Sequence, residues 1–302
     1  ARIGAKRRAG KVGKRLREKW LIERVIGRGG MATVFAATHR NGMRGAIKLL
    51  NAGLADTPEV RGRFVREGRA ANRIDHPGVV KLLDDDVTED GQLFLVMELL
   101  EGKSLRQRWD EAGRKLPVAE AVTIAIGVLD ILDAAHRAGV VHRDVKPDNV
   151  FLVGGDAESG VKLLDFGIAR MRDAKVDATQ DGSLLGTPAF MSPEQALARW
   201  DDVDHRSDLF SLGATLRTIL SGRLVHPATT VPELLIASAT QHAKPTLSVL
   251  PDLSPEIGQI IDKSLAFDKR ARWQHASEMR DALREARARL PAGRQAVRTQ
   301  PL

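Results

Sequence analysis

The 302-residue chain contains no cysteine, which rules out a disulfide framework, a thiolate metal site and a thiol nucleophile together. That suits a reducing, cytoplasmic setting. Tyrosine is absent as well, so any self-modification on hydroxyls falls on serine and threonine. No apolar run approaches the roughly 18 residues that a membrane-spanning helix requires. The amino end, ARIGAKRRAGKVGKRLREKW, is basic but lacks the apolar stretch of a secretory signal. Internal repeats and low-complexity segments are missing too, so repeat architectures drop out.

What is present is ordinary globular usage, 43% hydrophobic and 28% charged, in a length that suits one large two-lobed domain or two modest ones. The formal charge of +8 invites a nucleic-acid or membrane reading. Its distribution argues otherwise. Residues 1–19 are net +8 and residues 280–302 net +4, which leaves the middle at net −4. The basic character belongs to the ends, which read as solvated tails, and no nucleic-acid partner is expected.

Between residues 20 and 99 the pattern is mainly that of strands: WLIERVIG, ATVFAATH, GAIKLL, VVKLLDDDV and QLFLVMEL are short apolar or β-branched runs separated by turn residues. One segment, TPEVRGRFVREGRAANRI, reads as a helix, with Thr57 at the N-cap and Pro58 at the first helical position. After Glu101 the character becomes helical. Long amphipathic or buried helices are predicted from about Val118 to Ala138 and over SDLFSLGATLRTILSG, SPEIGQIIDKSLAF and ASEMRDALREARARL. The economical architecture is a small five-stranded β lobe with one main helix, a hinge near Glu98–Gly102, and a larger helical lobe.

Three stretches carry chemistry. IGRGGMATVF sets Gly27, Gly29 and Gly30 between two strands, where the backbone can approach a polyphosphate closely. By itself this is a weak signal, since glycine-rich hairpins are common. GAIKLL puts Lys48 in an apolar strand, where an ammonium needs a carboxylate and phosphate oxygens as partners; Glu67 in the following helix is the candidate. The densest stretch is VVHRDVKPDNVFL, residues 140–152, with two carboxylates, three basic groups and an amide between apolar runs. Its companion is VKLLDFGIAR, which ends a strand on Asp165.

His-Arg-Asp at 142–144, Lys146, Asn149 and Asp-Phe-Gly 21 residues beyond Asp144 together form a specific combination, and on it the chain resembles the protein kinase superfamily from about Trp20 to Leu290. GTPAFMSPEQ, SDLFSLG and the arginine of KRARW are similar to further landmarks of that family. Lys146 and Thr187 suit the Ser/Thr branch, and RGGMATVF and SPEQ are similar to bacterial eukaryotic-type Ser/Thr kinases. The resemblance implies an α+β bilobal protein-kinase fold, with a small lobe over 20–100, a large lobe over 101–290 and tails at 1–19 and 291–302. It implies transfer of the ATP γ-phosphate to Ser or Thr hydroxyls of protein substrates, with Mg²⁺ or alternatively Mn²⁺. A nucleotide-binding scaffold without turnover is the rival.

The implied roles follow the needs of phosphoryl transfer, which are positioning and charge neutralisation. Asp144 orients the acceptor hydroxyl, Lys146 offsets charge on the transferring group, and Asn149 and Asp165 hold the cation. Lys48, fixed by Glu67, grips the α- and β-phosphates. The nucleotide is enclosed by Ile26, Gly27, Arg28, Gly29, Gly30, Val34, Ala46 and Phe151, with Met97 as gatekeeper and Glu98 and Leu100 as hinge partners. Glu194 is expected to pair with Arg272. One departure stands out: Ala32 replaces the third glycine of the loop, a methyl group that threatens close approach to the γ-phosphate. Arg143 implies an activation segment ordered by phosphorylation, with Thr179 and Ser183 as the phosphosites, Asp181 as a standing negative charge between them, and Thr187 in the substrate platform. Bacterial relatives suggest a homodimer through the small lobe, and a cytosolic domain of a longer, membrane-anchored protein is compatible with the same reading.

Overall fold

Strand alternation in the first third of the chain produces an antiparallel sheet with two apolar faces. The structure is a computed structural model that describes residues 11–55, 58–166 and 187–290, without side-chain description at positions 54, 55, 58, 59, 63, 67 and 187. The sheet has six strands: β1 (Arg15–Leu16), β2 (Trp20–Arg28), β3 (Ala32–His39), β4 (Arg44–Leu50), β5 (Leu82–Val87) and β6 (Leu93–Glu98), in the order β1-β2-β3-β4-β6-β5. A short helix α1 (Ala52–Ala55) and the longer α2 (Pro58–Ala71) connect β4 to β5. On one face Leu16, Trp20, Ile22, Phe35, Ile47, Leu49, Phe94 and Val96 form a core. On the other, Ala32, Leu50, Leu93 and Leu95 pack with Phe64 of α2. Gly68 makes that contact close, because a Cβ there would stand 2.9 Å from Leu82 Cδ2 and 3.1 Å from Leu95 Cδ1.

Five strands were expected, and the sixth comes from the segment read as a basic tail. Leu16 is only 2% exposed and fills the outer core beside Trp20. Lys11 pairs with Asp90 at 2.9 Å and Arg17 with Asp86 at 3.3 Å, so the charges of residues 11–19 lie against the acidic β5–β6 region rather than facing solvent alone. The spacing of basic residues hid one buried leucine. The helix start predicted at Thr57 is matched by α2 beginning at Pro58, although the cap residue itself is outside the described residues.

The second half is helical, around α4 (Val118–Arg137), which buries ten residues from Ala121 to Ala135. Against it pack α6 (His205–Ser221) and α9 (Ala276–Ala288), while α8 (Pro255–Ser264) packs on both of these. Besides the single-turn α1 and α5 (Pro193–Ala196), the pattern reading missed α3 (Leu105–Glu111), opened by a Ser104–Gln107 capping box, and α7 (Val231–Thr240), opened by Thr230–Glu233. A small sheet of β7 (Gly102–Ser104), β8 (Val150–Val153) and β9 (Val161–Leu163) lies between the lobes. Val140–Val141, read as β-type, forms no strand. Three of the four tryptophans are anchors: Trp20 and Trp109 are buried, and Trp273 donates its Nε1–H to the Ile260 carbonyl at 3.1 Å. No helix among the described residues is long and apolar enough to cross a membrane.

Because Leu16 seals a core face, Leu16→Ala should cost about 3 kcal/mol, the usual scale for a leucine cavity, and lower the melting temperature. Lys14→Ala, on the exposed side of the same segment, should leave it within a degree or two. Differential scanning calorimetry of both variants checks this.

Candidate active site

The catalytic loop hangs on a buried carboxylate. Asp208, in the first turn of α6 and fully buried, accepts the backbone N–H groups of His142 (2.8 Å) and Arg143 (2.6 Å) and pairs with His136 Nε2 (2.8 Å). Arg143 takes a left-handed conformation, φ 68°, which is uncommon for a residue with a side chain. Its carbonyl accepts from Gln195 Nε2 at 2.8 Å, so its flanking peptide groups are held on both sides. Burial opposes ionisation of Asp208, but the His136 hydrogen bond and the surrounding donors outweigh it and hold the carboxyl below its ordinary value.

His142 has no exposure and burial pushes its pKa down. As a neutral imidazole its Nδ1 accepts the Asp144 N–H (3.2 Å), so Nε2 carries the proton and donates it to the Leu164 carbonyl (2.9 Å). One ring therefore joins the loop bearing Asp144 to the segment bearing Asp165, which lies two residues past the end of β9 rather than on it, and the ring packs 4.7 Å from Phe166.

The charged side chains singled out in the sequence meet in pairs. Asp144 Oδ2 accepts from Lys146 Nζ (2.9 Å) and Asn149 Nδ2 (3.0 Å), and Nδ2 also donates to the Asp144 carbonyl (2.8 Å). With its NH₂ so engaged, Asn149 presents Oδ1 in the other direction, as an oxygen ligand must. Lys48, nearly buried, donates to Asp165 Oδ1 at 2.8 Å. Burial opposes ionisation of Asp165, yet the Lys48 ammonium prevails and holds the carboxyl below the usual range. Asp165 is also left-handed, φ 51°, and 48% of its side chain remains open to the cleft.

One carboxylate and one amide oxygen fit Mg²⁺, which completes its shell with water and phosphate oxygens. Among the described residues no three His, Cys, Asp or Glu side chains gather into one metal-holding group. Val34 and Ala46 pair across the sheet with Lys48 and Met97 respectively, which puts all four side chains on the cleft face. Ile26 stands 40% exposed at the mouth, and Phe151 lies on β8 on the large-lobe side. Gly27 and Arg28 end β2, and Gly29 and Gly30 form the turn. Glu98 ends β6 with its carboxylate on the Lys81 N–H (3.0 Å) and Lys162 Nζ (2.7 Å); Leu100 follows in the connection to β7. Ala32 packs its methyl with Leu50, Phe64 and Leu95, away from the turn tip, so the missing third glycine does not crowd the cleft.

The side chains of Glu67 and Thr187 are not described; their backbones lie in α2 and in the 3₁₀ turn Thr187–Phe190. Thr179, Asp181 and Ser183 lie outside the described residues. Glu194 meets Arg272 as expected, in a bidentate pair of 2.7 and 2.9 Å that also takes the Ser207 hydroxyl. Sequence reasoning passed over Asp208, His142, Gln195 and Asn51. The available signal was an acid in the apolar helix stretch SDLFSLG, which a buried helix tolerates only when its oxygens have donors. His76 and His136 have structural roles: His76 Nδ1 accepts the Gly78 N–H (2.9 Å) and His136 holds Asp208.

A two-lobed domain with paired Lys–Asp charges facing a glycine turn across a cleft is the arrangement of a phosphotransferase. The model of the protein kinase domain family matches residues 20–283, and the chain belongs to that family. It is 39% identical over 269 residues to serine/threonine-protein kinase Pkn1 of Myxococcus xanthus, covering 88% of this chain and 38% of that protein. To the probable serine/threonine-protein kinase PknB of Corynebacterium glutamicum it is 36% identical over 275 residues, covering 87% and 41%. The crystal structure of the Mycobacterium tuberculosis PknI kinase domain is similar with a TM-score of 0.69 at 27% identity, over 90% of this chain and 98% of that one. The chain spans about two fifths of the length of these curated relatives.

Asp208→Asn should lower stability at neutral pH by on the order of 2–3 kcal/mol, since an amide cannot accept all three donors. The folded carboxyl sits below its ordinary value of 3.8, so its contribution is complete above that value and is lost as pH falls through the lower folded one. Thermal melts from pH 7 to pH 3 should show a constant gap between the two proteins down to about pH 4 and a narrowing gap below it.

Proposed function

We propose that this domain transfers the γ-phosphoryl group of ATP to Ser and Thr hydroxyls of protein substrates. The observation that carries it is the Asp144 carboxylate, held by Lys146 and Asn149 and joined through His142 to the segment of Asp165. ATP with Mg²⁺ supplies the phosphoryl group and much of the charge neutralisation. Asp144 orients the acceptor hydroxyl and takes its proton. Lys146, already beside Asp144, is placed to offset charge on the group in flight. Asn149 Oδ1 and the Asp165 carboxylate would hold the cation, and Lys48 would exchange Asp165 for phosphate oxygens, with Glu67 as its expected partner. Positioning and electrostatics of this kind are what phosphoryl transfer requires. No observation favours a scaffold without turnover, because every charged group that transfer needs is present.

The same reading extends to control. Arg143 Nε is buried and has no hydrogen-bond partner among the described residues. Burial lowers the Arg143 pKa, against the pull of Asp208, so an added anion would be stabilised beside it. A phosphate on Thr179 or Ser183 supplies that anion, and Asp181 supplies part of it permanently.

Asp144→Asn should cut transfer to a generic basic protein by about 10²–10⁴-fold, the scale of a lost general base, while nucleotide affinity stays within about threefold. Lys48→Met and Asp165→Asn should remove activity with cooperative melting intact. Transfer of label from γ-labelled ATP, with parallel calorimetry, checks all three; near-native turnover in Asp144→Asn would refute the assignment. For the segment, Thr179→Ala with Ser183→Ala should lower activity and Asp181→Ala deepen the loss. Phosphosite mapping accompanies that test, and full activity in the triple variant with no phosphate on the segment would remove the proposal.

A further inference from the structure

Asn51 directly follows β4, is 6% exposed, and every polar group of its side chain is committed to the glycine turn. Its Nδ2 donates to the carbonyls of Gly30 (2.7 Å) and Gly29 (3.2 Å). Its Oδ1 accepts from the Thr33 hydroxyl (3.2 Å), and its backbone N–H donates to the Met31 carbonyl (2.8 Å). One residue thus gathers three consecutive carbonyls of the turn. Within it, the Gly29 N–H closes on the Ala32 carbonyl at 2.9 Å.

The direction of that pull follows from the pleat. Lys48 and its partner Val34 face the cleft, whereas Ile47 and Leu49 belong to the outer core. Alternation puts Asn51 and Thr33 on the outer side with Leu49. The carbonyls of Gly29 and Gly30 are therefore drawn away from the cleft, while that of Met31 is held in the plane of the sheet by the Asn51 N–H. In a trans peptide the N–H opposes the C=O, so the N–H groups of Gly30 and Met31 are turned toward the cleft, a pair of donors suited to anionic oxygen. The glycines permit close approach, since a Cβ on Gly30 would meet open space and would occupy the path of a ligand.

We infer that Asn51 is a positioning residue for the polyphosphate: it acts through the turn, aiming backbone donors at the phosphates without touching them. The inference rests on the ATP-dependent reading above. Its test uses the full 302-residue chain with Asn51→Ala and with Asn51→Asp, which keeps the shape and the Thr33 acceptor but loses both donors. Mg·ATP and adenosine, which has no phosphates, are titrated calorimetrically, and amide exchange of Gly29 is measured without nucleotide. Adenosine affinity should stay within about twofold while ATP affinity falls about tenfold, the scale of two lost hydrogen bonds, and exchange at Gly29 should quicken. If the unmodified protein prefers ATP and both variants keep that preference, the inference is overturned and the kinase reading stands. Equal loss of both ligands with a lowered melting temperature would make Asn51 merely structural and overturn it too. An unmodified protein that binds ATP no better than adenosine would overturn the reading on which the inference rests.

Discussion

A single carboxylate, Asp208, sets where the chemistry occurs. It has no solvent and three donors, from His142, Arg143 and His136, so its ionised form is satisfied only if the loop ahead of Asp144 runs in one particular path. That path includes a left-handed arginine, whose strain of about 1–3 kcal/mol is offset by two short hydrogen bonds to a charged acceptor. Helix α6 is itself fixed from behind by the Glu194–Arg272 pair through Ser207. Rigidity passes from the helical core to the loop, and from the loop through His142 to Asp165.

The remaining charges are arranged so that each has a partner that a substrate can replace. Lys48 rests on Asp165 and Lys146 on Asp144. Neither lysine is left as a bare buried ammonium, a state that would cost several kcal/mol. On the proposed reading, phosphate oxygens would replace Asp165 beside Lys48 and a cation would replace Lys48 beside Asp165. The outer-face residue Asn51 belongs to the same logic from the opposite side of the sheet, where a neutral amide shapes the backbone that faces the anion.

Much of this could be read from the residues. The spacing of Asp144, Lys146, Asn149 and Asp165 is local or near-local, and their chemistry is legible because charged groups in apolar surroundings need a reason. Helices α4, α6, α8 and α9 announce themselves by periodicity over ten or more residues. Seven-residue α3 does not, since two turns give little pattern, and α7, as long as α8, is apolar or small at most positions and so shows no polar face; the capping boxes of both lie among ordinary polar residues. Leu16 was hidden by the basic residues around it, and β1 exists only because β2 offers an edge. Asn51 was invisible for a different cause: its role is hydrogen bonds to backbone atoms some twenty residues away, and backbone partners leave no trace in the identity of a side chain. Asp208 left only the fainter trace of an acid in an apolar helix.

The segment after α2 also determines how the two lobes can move. Ile74 and Val79 are buried with the large-lobe core, the Leu163 N–H donates to the Gly78 carbonyl at 2.8 Å, and a Cβ on Gly78 would overlap Ile131 of α4. Nearby, Lys162 grips Glu98 where the chain leaves β6. The small lobe is therefore tethered twice to β9, once on each side of its base. Two tethers form an axle: sliding is blocked, rotation is left, and travel grows with distance from the tethers. The glycine turn at the far end of the sheet has the longest arm and the C-terminal end of α2 the shortest. Any rotation about that axle would therefore displace the glycine turn more than the hinge.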